Sequence, residues 1–440
     1  MVATGRLSPL DTNTATPSGL DDGSLKEPVH SCRQGGKLRR LSGRWITGMA
    51  RAIFGAGCAT MCATLGLTNS WGVNAIPHLQ VELAHQSSSQ IAWIGSVQNA
   101  MLYAPGVPVG RLFDLGYLRL PVLMASALLV VCMFLTAECT QYWQFLLCQG
   151  FGVGLASGVL FNMCNMVMTH WFKRRLGLAF ASMFGGGSIG GCFFPIILRT
   201  LLQHTSFPWT MRVLAFIVLG LVAVTNLTIA RRLPGTQDPG PLINVAEFRK
   251  PAYSVYVVSL IVNTLALFTV LTYLTVTAVG AHLSANLSFD LLAIANAAST
   301  LGRIGSGLLA DSYGPLNILI PATVMTAAVT YAWPFATNLA HFVVVAVFIG
   351  ISTGAILAIL VQPFALMGAV EDVGLRIGMA YTLVTIGLLA GPPISGAIVD
   401  GTDSFKNVGY YGGSTLLVSA ALIVAARHFL FRTKGVGGPA

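Results

Sequence analysis

Long apolar runs alternate with short polar breaks along most of the chain beyond residue 45. A bilayer-spanning helix needs about 20 mostly apolar residues, and twelve runs come close to that length or exceed it. The pattern predicts an all-α integral membrane protein with twelve transmembrane helices. The predicted spans are 51–71, 91–110, 118–137, 141–168, 176–201, 211–230, 253–275, 289–310, 316–333, 339–362, 377–399 and 409–431.

The composition strengthens this prediction. Of the 440 residues, 54% are hydrophobic and 9% are charged, whereas soluble globular proteins have about 25% charged residues. The net charge of +10 does not indicate nucleic-acid binding, because most lysines and arginines lie in the breaks between apolar runs. The eight cysteines show neither a CxxC pair nor Cys/His metal spacing, and we interpret them as small packing residues with free thiols.

No pattern in the sequence indicates catalysis. There is no nucleotide-binding glycine loop followed by Lys-Ser/Thr, and no Ser/His/Asp set in an extramembrane region large enough to use it. We therefore expect no enzyme activity, no cofactor, no metal site and no use of ATP. The expected partners are a small-molecule substrate and the lipid bilayer, and we expect a monomer.

The positions of the basic residues predict the orientation. When residues 1–45 are placed in the cytosol, almost all loop cations fall on the cytosolic side, and the opposite side receives only Arg199, Arg212 and Lys406. Cytoplasmic loops carry an excess of lysine and arginine. We therefore expect a multi-pass membrane protein with both termini in the cytosol. The plasma membrane is the expected location, and a vacuolar or other internal membrane is the alternative.

An internal repeat predicts two pseudo-symmetric six-helix halves. GVPVGRLFDLG lies between spans two and three, and RIGSGLLADSYG lies between spans eight and nine. Both contain G-x-L-x-D followed shortly by glycine, and their aspartates, Asp114 and Asp311, are 197 residues apart. Such repeats build many transporter folds. The predicted organisation is a disordered cytosolic tail at 1–45, a first half at 46–232, a cytosolic linker at 233–252, a second half at 253–431 and a short cytosolic tail at 432–440.

This pattern resembles the major facilitator superfamily, and the G-x-x-x-G-R-x-x-D loop is similar to its gating motif. In that superfamily the loop aspartate pairs with basic residues and with the N-terminal end of a neighbouring helix, which stabilises the outward-facing state. The resemblance therefore implies a gate, and a pair of ordinary helix-end carboxylates is the alternative. The gating residues it implies are Gly106, Gly110, Arg111, Asp114, Asp311, Arg174 and Arg175.

Within the superfamily, the chain resembles the monocarboxylate transporter family, especially its fungal members. The stretch WFKRRLGLAFASMFGG at 171–186 is similar to one family signature, and Ser70-Trp71-Gly72 matches the core of the other. Arg303 falls where the family has its substrate-facing arginine. The sequence departs at Thr68, where the second signature usually opens with an acidic residue.

Arg303 is the charged residue that lies deepest in a predicted span. It precedes Asp311 by eight residues, or about 12 Å of helix axis, which places it near the middle of the bilayer. A cation there costs at least about 2.5–3.5 kcal/mol on insertion scales, so it must face a wet cavity or an anion. We interpret it as a donor to an anionic oxygen of the substrate. The alternative is a structural role, in which the buried Arg303 side chain bonds to backbone carbonyls or to a neighbouring helix.

The groups that usually couple transport to a proton are partly missing. No lysine occurs between Lys37 and Lys173, so the span-one lysine of the animal monocarboxylate transporters is absent. Ser299 stands one helical turn before Arg303, where those transporters carry an aspartate. The residues therefore leave proton coupling open.

Polar and aromatic residues in spans one, four, seven and ten would line a central cavity, as the superfamily resemblance implies. Buried amides in a bilayer need partners, and either a substrate or a neighbouring helix can supply them. The substrate-site candidates are Arg303, Asn69, Trp71, Asn74, Asn162, Asn165, Asn263, Tyr273 and Gln362, with Tyr381 as a weaker one. Asn286 begins a formal glycosylation sequon whose closeness to the membrane makes its use doubtful.

These observations give one main hypothesis and several alternatives. The main hypothesis is a secondary active transporter that moves a small organic anion, interpreted as a monocarboxylate, by alternating access. The first alternative is an exporter of a larger secondary metabolite or toxin. The gene of such an exporter would belong to the gene cluster that encodes the biosynthetic enzymes of that metabolite. A transport-inactive sensor and an integral-membrane enzyme are the remaining alternatives, and the featureless tails argue against the sensor.

Overall fold

A computed structural model describes residues 48–70, 88–172, 175–233, 235, 243–368, 372–402 and 404–434. Within these ranges the chain is helical and contains no strand. A 3-10 turn, Val245–Arg249, precedes the second group of long helices. The helices are α1 Gly48–Asn69, α2 Ser88–Tyr103, α3 Gly106–Asp114, α4 Arg119–Thr136, α5 Tyr142–Trp171, α6 Leu176–His204, α7 Phe207–Thr228, α8 Pro251–Gly280, α9 Ala285–Tyr313, α10 Pro315–Phe335, α11 Leu339–Leu366, α12 Val373–Thr402 and α13 Phe405–Lys434.

Ten of these helices are long and apolar enough to cross a membrane. The second predicted span, at 91–110, differs from expectation because it forms two helices, α2 and α3, which meet at Ala104 and Pro105. Proline has no backbone N–H and cannot continue the helical ladder. Helix α9 is long, at 29 residues, and carries polar side chains such as Ser299, Arg303 and Ser306 along its middle.

The helix surfaces are those of a membrane protein. Large apolar side chains point outward on many helices, and Leu227, Met124 and Ile196 are 86%, 64% and 64% exposed. Buried hydroxyl groups mostly bond to a carbonyl one turn earlier on their own helix, as Thr60 does to the carbonyl of Ala56 at 2.9 Å. These hydroxyl groups are thus satisfied within their own helix, as a bilayer interior requires.

The first seven helices meet the last six along two seams in which glycines let the helix backbones approach closely. In the first seam, α3 lies against α12, and a Cβ on Gly110 would lie 2.3 Å from the carbonyl oxygen of Gly374. In the second seam, α6 lies against α9, and a Cβ on Gly177 would lie 2.3 Å from the carbonyl oxygen of Gly307. Only glycine allows this backbone approach.

The two seams are copies of each other. Gly110 and Gly307 are 197 residues apart, and so are their partners Gly177 and Gly374. The repeat recognised at 106–116 and 303–314, which forms α3 and the end of α9, therefore extends to α12 and α6, the helices that these segments contact. The duplicated halves bring the same two surfaces together twice.

We predict that Gly110→Ala opens the first seam. The added methyl group would meet the Gly374 carbonyl, so the start of α12 must move away and its first-turn amides must lose their partners. Hydrogen–deuterium exchange of a peptide covering residues 373–378 should accelerate by about tenfold or more, the scale of losing a hydrogen bond to a charged group.

The matched control is Gly305→Ala on α9, because a Cβ at Gly305 meets no other atom within 4 Å. We expect its exchange to match that of the wild type. Unchanged exchange in Gly110→Ala would show that the first seam accommodates a methyl group and is not a close backbone contact.

Candidate functional site

Asp114, at the end of α3, binds backbone amides at the beginning of α12. Its Oδ2 accepts the backbone N–H of Leu375 at 2.7 Å, and its Oδ1 accepts that of Gly374 at 3.2 Å. Amides in the first turn of a helix have no intrahelical partner, and the helix dipole favours a negative charge there. The carboxylate is 3% exposed, so water does not compete for these bonds.

Asp311, at the end of α9, makes the matching contact with α6. Its Oδ1 accepts the N–H of Gly177 at 2.6 Å, and its Oδ2 accepts that of Leu178 at 3.0 Å. Unlike Asp114, this carboxylate is exposed. We call the two contacts the Asp114 clasp and the Asp311 clasp. Each joins the first seven helices to the last six, and both lie at the same end of the helices.

Two arginines support the Asp114 clasp. Arg231 donates to the backbone oxygen of Phe113, and its guanidinium carbon lies 4.7 Å from the centre of the Phe113 ring. Arg376, in the first turn of α12, is 1% exposed and lies within electrostatic range of Glu247 and Asp114. Together they surround the clasp with fixed positive charge.

Sequence reasoning missed Arg376, because it immediately precedes the predicted start of span eleven at residue 377. A usable signal existed, since a cation in the first turn of a helix opposes the helix dipole and therefore needs acidic neighbours. Of the other predicted gating residues, Gly106 packs against Gly378 in the first seam, Arg111 is half-buried and Arg175 is exposed. Arg174 lies outside the described residues.

Arg303 reaches from the last six helices to the first seven. It lies on α9, is 4% exposed, and donates through Nη1 to the backbone oxygen of Phe184 on α6. Its Nε finds no hydrogen-bond partner among the described residues. Within that part of the chain, no carboxylate lies at salt-bridge distance from it.

Four buried aromatic rings form a cluster at Arg303. The Tyr103 ring lies 5.2 Å from both the Phe161 and the Tyr381 ring, and the Phe161 ring lies 6.0 Å from that of Phe184. Tyr103 is within electrostatic range of Arg303. The Tyr381 hydroxyl is buried and has no hydrogen-bond partner in the described structure. The cluster joins α2, α5, α6 and α12, so it lies between the two groups of helices.

Asn162 and Asn165 lie on α5 beside this cluster, and both are fully buried. Asn162 donates to the backbone oxygens of Gly158 and Leu102 at 2.8 and 3.2 Å, and Asn165 donates to that of Phe161 at 2.8 Å. The amide nitrogens are therefore used in helix contacts. The Oδ1 atom of each amide has no partner among the described residues and is available as an acceptor.

The remaining predicted substrate residues have other contacts. Tyr273 packs on Phe405 with ring centres 5.9 Å apart, and the Gln362 amide donates to the Ala358 oxygen at 3.4 Å. Asn263 donates to the Ser419 hydroxyl at 3.2 Å. Two predicted residues, Trp71 and Asn74, lie outside the described residues, as does the side chain of the sequon residue Asn286. Asn69 is exposed at the end of α1.

Sequence reasoning also missed Tyr103, Phe161 and Phe184. Aromatic residues within an apolar span look like ordinary lipid-facing or packing residues, and only their position around Arg303 distinguishes them. In the described part of the chain, no group of three or more His, Cys, Asp or Glu side chains could hold a metal ion.

The chemistry of this arrangement is binding rather than bond breaking. A buried guanidinium offers charge-assisted hydrogen bonds to an anionic oxygen, and aromatic faces offer a large apolar contact area. The amide oxygens of Asn162 and Asn165 and the hydroxyl of Tyr381 add groups that can hydrogen-bond to a ligand. Such a site suits a molecule with an acidic group on an unsaturated or aromatic body.

Comparison with known proteins gives consistent results. A sequence profile described as the Major Facilitator Superfamily matches residues 56–366. The chain is 31% identical over 379 residues to the MFS transporter asaE of Aspergillus flavus, covering 85% of this chain and 86% of that one. It is 32% identical over 386 residues to the aspyridones efflux protein apdF of Emericella nidulans, covering 87% and 78%.

Among solved structures, the human organic anion transporter MFSD10 superposes with a TM-score of 0.66 at 13% identity, covering 86% of this chain and 99% of that chain. At that identity the likeness concerns the fold alone. The all-helical fold expected from the sequence is therefore confirmed.

The two clasps differ in burial, and we therefore expect them to contribute unequally to stability. Asp114→Asn replaces a buried carboxylate that accepts two amides, whereas Asp311→Asn changes an exposed one whose lost bonds water can replace. We expect Asp114→Asn to lower the apparent melting temperature in detergent clearly more than Asp311→Asn does. Hydrogen bonds to buried charged groups contribute about 1.5–3 kcal/mol each, and exposed ones contribute less.

Asp290→Asn is the matched control, because Asp290 is an exposed acid on α9 away from both seams, and its melting temperature should equal that of the wild type. Equal destabilisation by Asp114→Asn and Asp311→Asn would contradict the assignment of the buried clasp as the stronger one.

Proposed function

Because the chain belongs to the major facilitator superfamily, we propose that it is a secondary active transporter that exports an acidic, largely apolar secondary metabolite by alternating access. The buried Arg303 within the aromatic cluster is the observation that carries this proposal. The names of similar fungal proteins support the direction of transport, since apdF is an efflux protein and another relative is the agnestins efflux protein of Paecilomyces divaricatus.

The two clasps act as the cytosolic gate in this proposal. The positive-inside pattern places the ends that carry Asp114 and Asp311 in the cytosol. Both clasps are closed in the structure, so we assign it to a state in which the cytosolic side is shut. To load a substrate from the cytosol, both carboxylates must leave their helix termini and both seams must part.

Arg303 selects an acidic substrate in this scheme. The protein supplies one backbone acceptor, from Phe184, and no carboxylate in the described structure. Ser299, one turn away, bonds to Ser188 at 3.2 Å across the second seam and provides no charge. A substrate carboxylate or acidic enol would supply the missing anion and would offset the cost of keeping a cation in a bilayer.

The aromatic cluster favours a large substrate. The four rings of the cluster beside Arg303 provide more apolar surface than a two- or three-carbon acid can cover. The export of a secondary metabolite therefore fits the site better than monocarboxylate transport, which was the main hypothesis from the sequence. Monocarboxylate transport is the second candidate, and it rests on Arg303 alone.

We predict that Arg303→Gln removes substrate export while the protein still reaches the membrane. The loss of a charge-assisted hydrogen bond corresponds to about a 10- to 100-fold lower rate. In the source organism, untargeted mass spectrometry of medium and cell extract should show an acidic metabolite retained by the deletion strain. Wild-type protein should restore its export, and Arg303→Gln should not.

Arg199→Gln, an exposed arginine on α6, is the matched control and should restore export fully. Uptake of labelled lactate and pyruvate by the same strains tests the second candidate, and uptake that requires Arg303 would favour it. Normal export by a correctly localised Arg303→Gln protein would contradict the substrate role of Arg303.

A further inference from the structure

A cleft of about 450 Å³ lies beside the Asp114 clasp. The turn between α3 and α4 forms one wall, from Gly116 to Leu120, and Ala230 and Arg231 at the end of α7 form the other. The proposed substrate site between the two groups of helices shares no residue with it. Of the lining residues, the export mechanism described above involves only Arg231, which supports the Asp114 clasp.

The cleft is positively charged. Arg119 and Arg231 line it from opposite walls, and among the described residues no acidic side chain lines it. Tyr117 also lines it and is 56% exposed. Two arginines lining a cleft of this size suit a phosphate, since guanidinium binds phosphate oxygens through paired hydrogen bonds.

The position of the cleft fits a lipid headgroup. Just along α4 from the cleft, Leu120, Leu123 and Met124 are 60%, 58% and 64% exposed, so this helix face contacts acyl chains. Tyrosine beside an arginine at the end of such a face is typical of the membrane–water interface. The cleft therefore opens at the depth where lipid phosphates lie, with apolar surface directly below it.

We propose that this cleft binds the phosphate of an anionic phospholipid from the leaflet on the basic side of the protein, bridging Arg119 and Arg231. The acyl chains of the lipid then lie along the exposed apolar face of α4. The two cations and the adjoining apolar surface together specify a lipid rather than a free anion.

The bound lipid also reaches the gate. Arg231 holds the last carbonyl groups of α3, those of Phe113 and Asp114, and the Asp114 carboxylate holds the start of α12. A phosphate that fixes Arg231 in this position stabilises the end of α3, so the lipid favours the closed Asp114 clasp.

The test uses full-length protein in nanodiscs of phosphatidylcholine, with or without phosphatidic acid. Native mass spectrometry should show phosphatidic acid retained by the wild type, and retention should weaken about fivefold in Arg119→Gln, the loss expected for one arginine near a lipid headgroup. Arg432→Gln removes an exposed arginine at the end of α13, far from this cleft in the chain, and should retain the lipid normally.

Exchange of the 373–378 amides supplies a second measurement. Phosphatidic acid should slow this exchange in the wild type and in Arg432→Gln, but not in Arg119→Gln. We use Arg119→Gln rather than Arg231→Gln as the test variant. Arg231→Gln would also remove the contacts that hold the end of α3 and can destabilise the fold by itself.

Three results would overturn the proposal. One is equal retention of phosphatidic acid by the wild type and Arg119→Gln. Another is an equal loss in Arg432→Gln, which would mean a diffuse attraction to the whole basic surface. The third is full displacement by soluble glycerophosphate, which would mean that the cleft recognises a free phosphate without its acyl chains. Normal export by Arg303→Gln would contradict the proposed substrate site but would not bear on this lipid site.

Discussion

Two carboxylates bound to the first-turn amides of two helices hold the halves of this protein together. Asp114 binds the start of α12 and Asp311 binds the start of α6, and in each case the carboxylate and the helix belong to different halves. The geometry requires the backbones to approach closely, because an aspartate side chain is short. The glycine seams follow from this requirement, since a Cβ at Gly110 or Gly177 would enter the facing carbonyl.

Arg303 marks where the two copies of this arrangement differ. The first copy has Gly106 at the matching place, where it packs on the backbone of Gly378. The second copy has a cation that extends to the backbone of Phe184, so the second seam cannot close there as tightly as the first. In the proposed mechanism the duplicated contact forms the gate in both copies, and the second copy also holds Arg303 beside the aromatic cluster.

The sequence predicted the helical architecture well, because length and hydropathy fix which segments can cross a bilayer. It also drew attention to Asp114, Asp311 and Arg303, since charges at helix ends and within spans are conspicuous. It could not identify what these residues contact. The backbone amides of Gly374 and Leu375 cannot be told from any other amides in the sequence. Tyr103 and Phe184 look like ordinary residues of an apolar span until the two halves are assembled. The second span is divided at Pro105, a residue whose missing backbone N–H is evident from the sequence.

The central claim is that the two clasps together hold the basic side closed. Spin labels at Tyr117 and Tyr313, on opposite halves and 56% and 60% exposed, would report the separation of the halves at that side by pulsed electron paramagnetic resonance, with native cysteines replaced by serine or alanine. We predict one short-distance population in the otherwise unchanged protein, and an added longer-distance population when Asp114→Asn and Asp311→Asn are combined. The same single distance distribution in both proteins would contradict the account.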